Sequence, residues 1–117
     1  YCNIKYYKAK DFDAVVIPGG WDTDRLRRYK EVLYFLRDMN KDCKVIAAIC
    51  HAPWVLASAG IVKGKKLTCV SAIKDDMINA GAKYFDREVV VDNNIITSRM
   101  PDDLPAFCRE IIRALSK

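Results

Sequence analysis

One segment of the chain combines a thiol and an imidazole where a nucleophile would be exposed. In "KVIAAICHAPWVLASAG", an apolar run of strand type leads directly to Cys50 and His51, and His51 is the only histidine in the chain. A cysteine between a strand and a helix N-terminus meets free backbone amides and the positive end of the helix dipole, which stabilise a thiolate. This arrangement favours nucleophilic attack on a carbonyl. The alternative is that Cys50 is simply a small buried apolar residue.

The neighbours of Cys50 indicate a sharp turn. Ala48 and Ala52 stand two residues before and two after it, where the strand-to-helix turn of a nucleophile elbow has small residues. Such a turn directs the backbone N–H of His51 toward an oxyanion. Adjacent residues on a helix do not face each other, so an ordinary helix would point the imidazole away from the thiol. His51 is therefore either the proton carrier for Cys50 or a polar group satisfied elsewhere.

A second loop is expected at the same edge of the sheet. The apolar run 12–17 predicts a buried strand that ends at the Pro-Gly-Gly sequence of 18–20. Parallel strands bring their carboxyl ends together, so this loop offers another N–H to an oxyanion near Cys50. Asp22 and Asp24 follow the loop. They are candidates for the acid that orients a histidine base, and equally for a helix N-cap.

The remaining segments alternate between helix and strand patterns. The pattern predicts a helix through the apolar positions 26 to 39, a helix from 51 to 59 closed by Gly60, a strand over 66–70, a short helix over 72–81, a hairpin at Asn93-Asn94 and a final helix from Pro101. This alternation is typical of an α/β fold with a mainly parallel sheet. We expect a single domain over residues 1–117.

Composition narrows the functional class. The net charge is +5, but the basic residues are dispersed and do not alternate with aromatic residues, which argues against nucleic-acid binding. No apolar run reaches the roughly 18 residues of a membrane span. A single histidine and the absence of clustered ligands argue against a metal site. The sequence also lacks the hydroxyl- and glycine-rich phosphate loop that would indicate a phosphate-bearing cofactor. We therefore predict no cofactor, no metal, no nucleic-acid partner and no membrane association.

The cysteines suggest a reducing compartment. Their number is five, which is odd, and no C-x-x-C is present. Four are flanked by apolar residues, which predicts free, buried thiols rather than a disulfide framework. We therefore expect a cytoplasmic protein.

Three weaker features have two interpretations each. Trp21 and Trp54 either line a pocket or fill the core. The pair Asp75-Asp76 is interpreted as charge in the first turn of a short helix rather than as an acid–base device. Arg99 is expected to form a salt bridge to a helix carboxylate.

Longer segments identify a family. "DFDAVVIPGG", "VIAAICHAPWVLASAGIVKGKKLT", "IKDDMINAGAKYFDREVVVDNNIITSR" and "PDDLPAFCREI" resemble the ThiJ/PfpI superfamily, in particular its PfpI-type intracellular-protease branch. The resemblance covers essentially the whole chain. It implies a flavodoxin-like fold related to class I glutamine amidotransferases. It also implies Cys50 as nucleophile with His51 beside it, Asp24 as an acid supplied by a neighbouring subunit, and an oxyanion hole made by the backbone of Gly20 and His51.

This resemblance implies a cysteine-dependent protease or hydrolase without a cofactor. It would act on a peptide or small carbonyl substrate, as a homo-oligomer with its active site at a subunit interface. Glyoxalase or deglycase chemistry on methylglyoxal or its adducts is an alternative, because it begins with the same thiolate addition. A redox-sensing or chaperone-like stress protein is an alternative of another class. A glutamine amidotransferase is rejected, since its triad needs a second histidine.

The chain departs from the family pattern in three places. Position 24 is aspartate where the family usually has glutamate, and position 52 is alanine where many members have glycine. The family's N-terminal strand-helix-strand portion, which carries a glutamate that contacts the nucleophile, has no counterpart in residues 1–117. We expect that this portion exists outside the present sequence, because without it the sheet has an exposed apolar edge.

Overall fold

The computed structural model describes residues 8–20 and 22–116. The elements of these residues are, in chain order, β1 (Ala14–Ile17), α1 (Asp22–Leu26), α2 (Lys30–Lys41), β2 (Val45–Ile49), α3 (Pro53–Ser58), β3 (Lys66–Leu67), α4 (Lys74–Asn79), β4 (Lys83–Tyr84), β5 (Val90–Asp92), β6 (Ile95–Ser98) and α5 (Leu104–Leu115). Short 3-10 turns occupy Ala9–Asp11, Ser71–Ile73 and Pro101–Asp103.

A four-stranded sheet positions the residues of interest. Its strand order is β1-β2-β6-β5; β1, β2 and β6 run parallel, and β5 pairs antiparallel with β6. Strands β3 and β4 form a separate parallel pair. Since Ile17 lies beside Ala48 and Ile49 beside Ser98, the carboxyl ends of three strands meet at one edge. The prediction of an α/β fold with a mainly parallel, flavodoxin-like sheet is confirmed.

Strand β2 is buried on both faces of the sheet. On one face Ile46 packs with residues of α2, α3 and α4, including Leu36 and Leu56. On the other face Ala47 and Ile49 pack with residues of β6 and α5. This double burial explains why the sequence of β2 is a continuous apolar run rather than an alternating one. Among the described residues β1 is an edge strand, and its Val16 is 51% exposed.

The region after β1 differs from the sequence prediction. The single predicted helix is divided in two, because Tyr29 adopts an extended conformation (φ −95°, ψ 119°) between α1 and α2. Asp22 is the first residue of α1 and Asp24 lies two residues further into it, so the interpretation as an N-cap is wrong for Asp24 and stays a prediction for Asp22. Apolar spacing alone continues smoothly through such a break, because one extended residue hardly changes the pattern of buried positions.

Strand β3 is shorter than predicted because its continuation bonds elsewhere. The Thr68 N–H donates to Thr97 Oγ1 at 2.9 Å, and the Val70 N–H donates to the Cys50 carbonyl oxygen at 3.1 Å. The chain after Leu67 therefore leaves the two-stranded sheet and runs alongside the turn that contains Cys50.

The predicted turn residues behave as expected. Gly60 and Gly81 have φ of +76° and +94°, and Asn93, in the β5–β6 hairpin, has φ of +54°. These are left-handed conformations, which glycine and asparagine tolerate better than most residues.

The prediction of buried cysteines is confirmed for Cys69 and wrong for Cys108, which is exposed, while Cys50 is half-buried. Cys43 is also exposed, but it stands between Asp42 and Lys44 and is not one of the thiols with apolar neighbours. All four are free thiols. Flanking apolar residues do not show which side of an element a thiol occupies. The prediction for Trp21 lies outside the described residues.

An ion pair fixes the carboxyl end of β6, as predicted for Arg99. The Arg99 guanidinium donates to Asp103 at 2.9 and 3.0 Å and to Asp86 at 3.0 Å, and the Arg99 N–H also donates to Asp103 at 3.0 Å. These bonds hold the pKa of the buried Asp103 carboxyl below its usual range, although burial opposes them. The residue before this anchor is Ser98, whose carbonyl oxygen accepts the Cys50 N–H at 3.1 Å.

Candidate active site

The backbone at Cys50 has a conformation that non-glycine residues avoid. Its φ is +67°, in the left-handed region, which costs a residue with a Cβ about 1–2 kcal/mol. Two hydrogen bonds hold it there, from the Cys50 N–H to Ser98 and from the Val70 N–H to the Cys50 carbonyl oxygen, both at 3.1 Å. Strained backbone of this kind concentrates at functional sites. The sharp strand-to-helix turn expected from the sequence is therefore present.

Alanine at position 52 fits this turn without strain. Ala52 has ordinary right-handed helical angles (φ −59°, ψ −31°), and its N–H donates to the Ile49 carbonyl oxygen at 3.0 Å. Its side chain is fully buried, as is that of Ala48. The methyl group at position 52 is accommodated in the core.

The turn brings the imidazole of His51 to the thiol. The Cys50 Sγ lies 3.3 Å from the His51 Nδ1. The expectation that neighbouring side chains point apart assumed an ordinary helix, and it is wrong because α3 begins only at Pro53 and Cys50 is left-handed. At this distance the two groups can exchange a proton directly.

The glycine loop contacts Cys50 through its first glycine. A Cβ added to Gly19 would lie 2.6 Å from the Cys50 Cβ and 3.4 Å from its Sγ, so only glycine allows the loop to approach so closely. Gly20 has φ of +102° and open space around it, and its carbonyl oxygen accepts the Thr23 hydroxyl at 3.0 Å. The oxyanion role of Gly20, implied by the family resemblance, stays a prediction, and the sequence indicated no separate role for Gly19. The signal was the pair of glycines itself, one needed for close contact and the other for conformation.

Asp24 forms an ion pair with Arg28. Its carboxylate accepts a hydrogen bond from the Arg28 guanidinium at 2.6 Å, one helical turn away. Both side chains are substantially exposed, at 47% and 69%. The assignment of Asp24 as an acid supplied from a neighbouring subunit stays a prediction.

An aromatic side chain flanks His51 on the side of α3. The ring centroids of His51 and Trp54 are 5.2 Å apart, tilted by 56°. The Trp54 Nε1–H donates to the Asp76 Oδ2 at 2.8 Å. Trp54 therefore lines the site, and Asp76 is more than a first-turn charge. Sequence reasoning missed this link because residues 54 and 76 lie on different helices.

The other described thiols have different environments. Burial raises the pKa of the Cys69 thiol to about 12, with smaller contributions from Asp76 and from Cys50, so Cys69 stays protonated. Cys43 and Cys108 are exposed, but the chain's single histidine lies at Cys50. Cys50 is thus the described thiol that has an imidazole beside it.

The described residues contain neither a metal-binding cluster nor a membrane-spanning helix. Within 8–20 and 22–116, no group of three or more histidine, cysteine, aspartate or glutamate side chains is arranged to hold a metal ion. No helix in this part of the chain is long and apolar enough to cross a membrane.

The chain matches the model of a known protein family. The model of the DJ-1/PfpI family matches residues 2–114, and the chain belongs to this family, as the resemblance to the ThiJ/PfpI superfamily predicted.

Three curated relatives show what the chain is similar to. Deglycase PfpI of Pyrococcus furiosus is 48% identical over 105 residues, which is 90% of this chain and 63% of the relative. Protein/nucleic acid deglycase 2 of Escherichia coli is 49% identical over 106 residues, covering 90% and 62%. The putative cysteine protease YraA of Bacillus subtilis is 49% identical over 107 residues, covering 92% and 63%. The chain spans slightly less than two thirds of the length of these relatives.

Solved structures show the same fold. DJ-1beta of Drosophila melanogaster superposes with a TM-score of 0.82 at 40% identity, covering 88% of this chain and 56% of that one. A two-domain protein of Anabaena variabilis with a DJ-1/ThiJ/PfpI-like and a ferritin-like domain superposes with a TM-score of 0.95 at 43% identity. That match covers 97% of this chain and 32% of the other.

The close contact between Gly19 and Cys50 can be tested by adding a methyl group at position 19. Gly19→Ala places a methyl group against the Cys50 Cβ. Such overpacking typically destabilises the folded state by about 1–3 kcal/mol, because the neighbouring groups must shift to make room. We expect a lower free energy of unfolding in urea and slower alkylation of Cys50 by iodoacetamide, followed by peptide-resolved mass spectrometry.

Gly64→Ala is the matched control. Gly64 has φ of +76° with open space around it, so alanine there costs about 1 kcal/mol of backbone strain without touching Cys50. It should leave alkylation of Cys50 unchanged. Wild-type stability and wild-type alkylation in Gly19→Ala would show that the loop does not constrain Cys50.

Proposed function

We propose that this chain carries the catalytic centre of a cysteine-dependent enzyme that attacks carbonyl groups, with deglycase activity as the leading assignment. One observation carries the proposal: Cys50, held in a left-handed turn, has its Sγ 3.3 Å from the imidazole of the chain's single histidine. The names of the relatives from Pyrococcus furiosus and Escherichia coli favour deglycation. The substrate would be a small dicarbonyl adduct of an amine or thiol, of the kind that methylglyoxal forms.

The first chemical step is thiolate addition. His51 Nδ1 accepts the proton of the Cys50 thiol, and the sulfur forms a bond to the carbonyl carbon of the adduct. The carbonyl π electrons move to oxygen, which becomes an oxyanion held by the backbone N–H groups of His51 and Gly20. The imidazolium then gives its proton to the oxyanion, which leaves a neutral tetrahedral adduct bonded to the Cys50 sulfur.

Asp24 completes the proposed machinery from another subunit. Its carboxylate pairs with Arg28 and is 47% exposed, so a neighbouring subunit can meet it at the surface. An acid beside an imidazolium stabilises its charge and fixes the orientation of the ring. The active species is accordingly a homo-oligomer whose site combines Cys50 and His51 of one subunit with Asp24 of the next.

A protease is the second candidate, favoured by the relative from Bacillus subtilis that is named a putative cysteine protease. Both reactions begin with the same addition and differ in the leaving group. A protease must also admit an extended peptide, whereas a deglycase needs to admit only a modified side chain.

Removal of the nucleophile tests the proposal. Cys50→Ala should lower the release of methylglyoxal-derived adducts from a modified cysteine or arginine by a factor on the order of 1000 or more, as for other catalytic nucleophiles. His51→Ala should lower it by roughly 100- to 10,000-fold, the usual range for general acid–base groups. Release is followed by chromatography beside hydrolysis of an unstructured peptide.

Cys43→Ala is the control, because Cys43 is an exposed thiol away from the single histidine. It should retain wild-type activity. Wild-type turnover in Cys50→Ala would refute the enzyme, whereas peptide hydrolysis without adduct release in the wild type would replace deglycase by protease. Conversion of Cys50 to its sulfenic or sulfinic acid without turnover of either substrate would favour the redox-sensing alternative.

Mixed oligomers test the supply of Asp24 in trans. Asp24→Asn and Cys50→Ala should each be inactive alone, because each breaks every site of its oligomer. When the two variants are unfolded together and refolded, some sites should pair an intact Cys50 with an intact Asp24 from the neighbouring subunit, and activity should return. No recovery despite oligomers of wild-type size, or full activity in a monomer by light scattering, would refute the shared site.

A further inference from the structure

We infer that Asp76 and Trp54 are positioning residues for His51: Asp76 fixes the indole of Trp54, and the indole fixes the plane of the imidazole. The inference rests on the proposed function, because it assigns these residues a role through the imidazole. It concerns two side chains on two different helices, α3 and α4, outside the cysteine–histidine pair.

The contact between His51 and Trp54 follows from the local chain. The Trp54 N–H donates to the His51 carbonyl oxygen at 3.0 Å, so the two residues are one turn apart and their side chains leave on the same side. Their ring centroids are 5.2 Å apart with a tilt of 56°, within the range of favourable aromatic contacts. The indole therefore contacts the imidazole ring on one side, while the His51 Nδ1 lies toward the Cys50 Sγ.

The indole is itself held at two points. Its Nε1–H donates to the Asp76 Oδ2 at 2.8 Å, which ties it to α4. The Arg27 guanidinium lies 5.3 Å from the indole centroid, and the Arg27 Nε–H donates to the Ser58 Oγ at 2.8 Å. A half-buried tryptophan with both its edge and its face engaged has few alternative rotamers.

The cost of losing this bond to stability is small. Asp76 is exposed, and a hydrogen bond at the surface contributes only about 1 kcal/mol to the folded state. Orientation is more sensitive, since misplacement of a catalytic group by about 1 Å can lower a rate by roughly 100-fold. A positioning role therefore predicts a change in turnover that exceeds the change in stability.

The experiment compares Asp76→Ala, which removes the acceptor, with Asp76→Asn, whose amide oxygen still accepts the indole N–H. We expect Asp76→Ala to lower kcat about 3- to 10-fold with KM within about twofold of the wild type. Asp76→Asn should stay within about twofold in both. Asp75→Ala, at the exposed neighbouring carboxylate, is the matched control and should match the wild type.

A spectroscopic readout is independent of turnover. The chain has one histidine, so tag-free protein labelled with 15N-histidine gives one imidazole spin system in NMR. Because the indole lies against the ring, loss of its anchor should shift or broaden the His51 signals in Asp76→Ala and leave them in place in Asp75→Ala. The expected change in the His51 signals does not depend on enzyme activity. A failure of this inference can therefore be distinguished from a failure of the proposed function, which Cys50→Ala tests.

A double variant completes the test. Trp54→Phe keeps an aromatic ring but has no N–H, and it should resemble Asp76→Ala in kcat. If both act through one hydrogen bond, Trp54→Phe combined with Asp76→Ala should be no slower than either alone. Wild-type His51 signals and wild-type kcat in Asp76→Ala would overturn the inference. Equal losses in Asp76→Asn and Asp76→Ala would also overturn it, because charge rather than the hydrogen bond would then matter.

Discussion

The left-handed backbone at Cys50 is the constraint on which the site depends. A φ of +67° separates the end of β2 from the beginning of α3, and it turns the thiol out of the sheet while the next residue folds back beside it. Neighbouring strands and loops supply the compensation, since Ser98 accepts the Cys50 N–H and Val70 donates to its carbonyl oxygen. The strain is small compared with the burial of β2 on both faces, which holds the strand end in place.

Two anchors maintain this turn from outside. The ion pair of Arg99 with the buried Asp103 fixes the end of β6 next to Ser98. On the other side Gly19 packs directly on the Cys50 Cβ, at a distance that no side chain would permit. Cys50 is thus held at the edge of the sheet where three strands end.

Much of the fold was predictable, because apolar runs and glycine positions report burial and positive φ directly. The sharp turn at Cys50 was predictable too, since small residues flank it in the pattern of an elbow. The extended break at Tyr29 and the short β3 were not predictable, because they depend on hydrogen bonds between distant residues. The contact of Cys50 with His51 contradicts the local rule for helices, and the Trp54–Asp76 bond joins two helices. Both arise from tertiary structure, which periodicity does not contain.

The central claim is that backbone geometry and the adjacent imidazole make Cys50 the reactive thiol. Alkylation of the native protein by iodoacetamide at neutral pH, quantified for each cysteine peptide by mass spectrometry, tests it most directly. Exposure alone would favour Cys43 and Cys108, which are more accessible than the half-buried Cys50. The account predicts that Cys50 reacts first and that Cys69, with its pKa raised to about 12 by burial, reacts last. Modification of Cys43 or Cys108 ahead of Cys50 would contradict it.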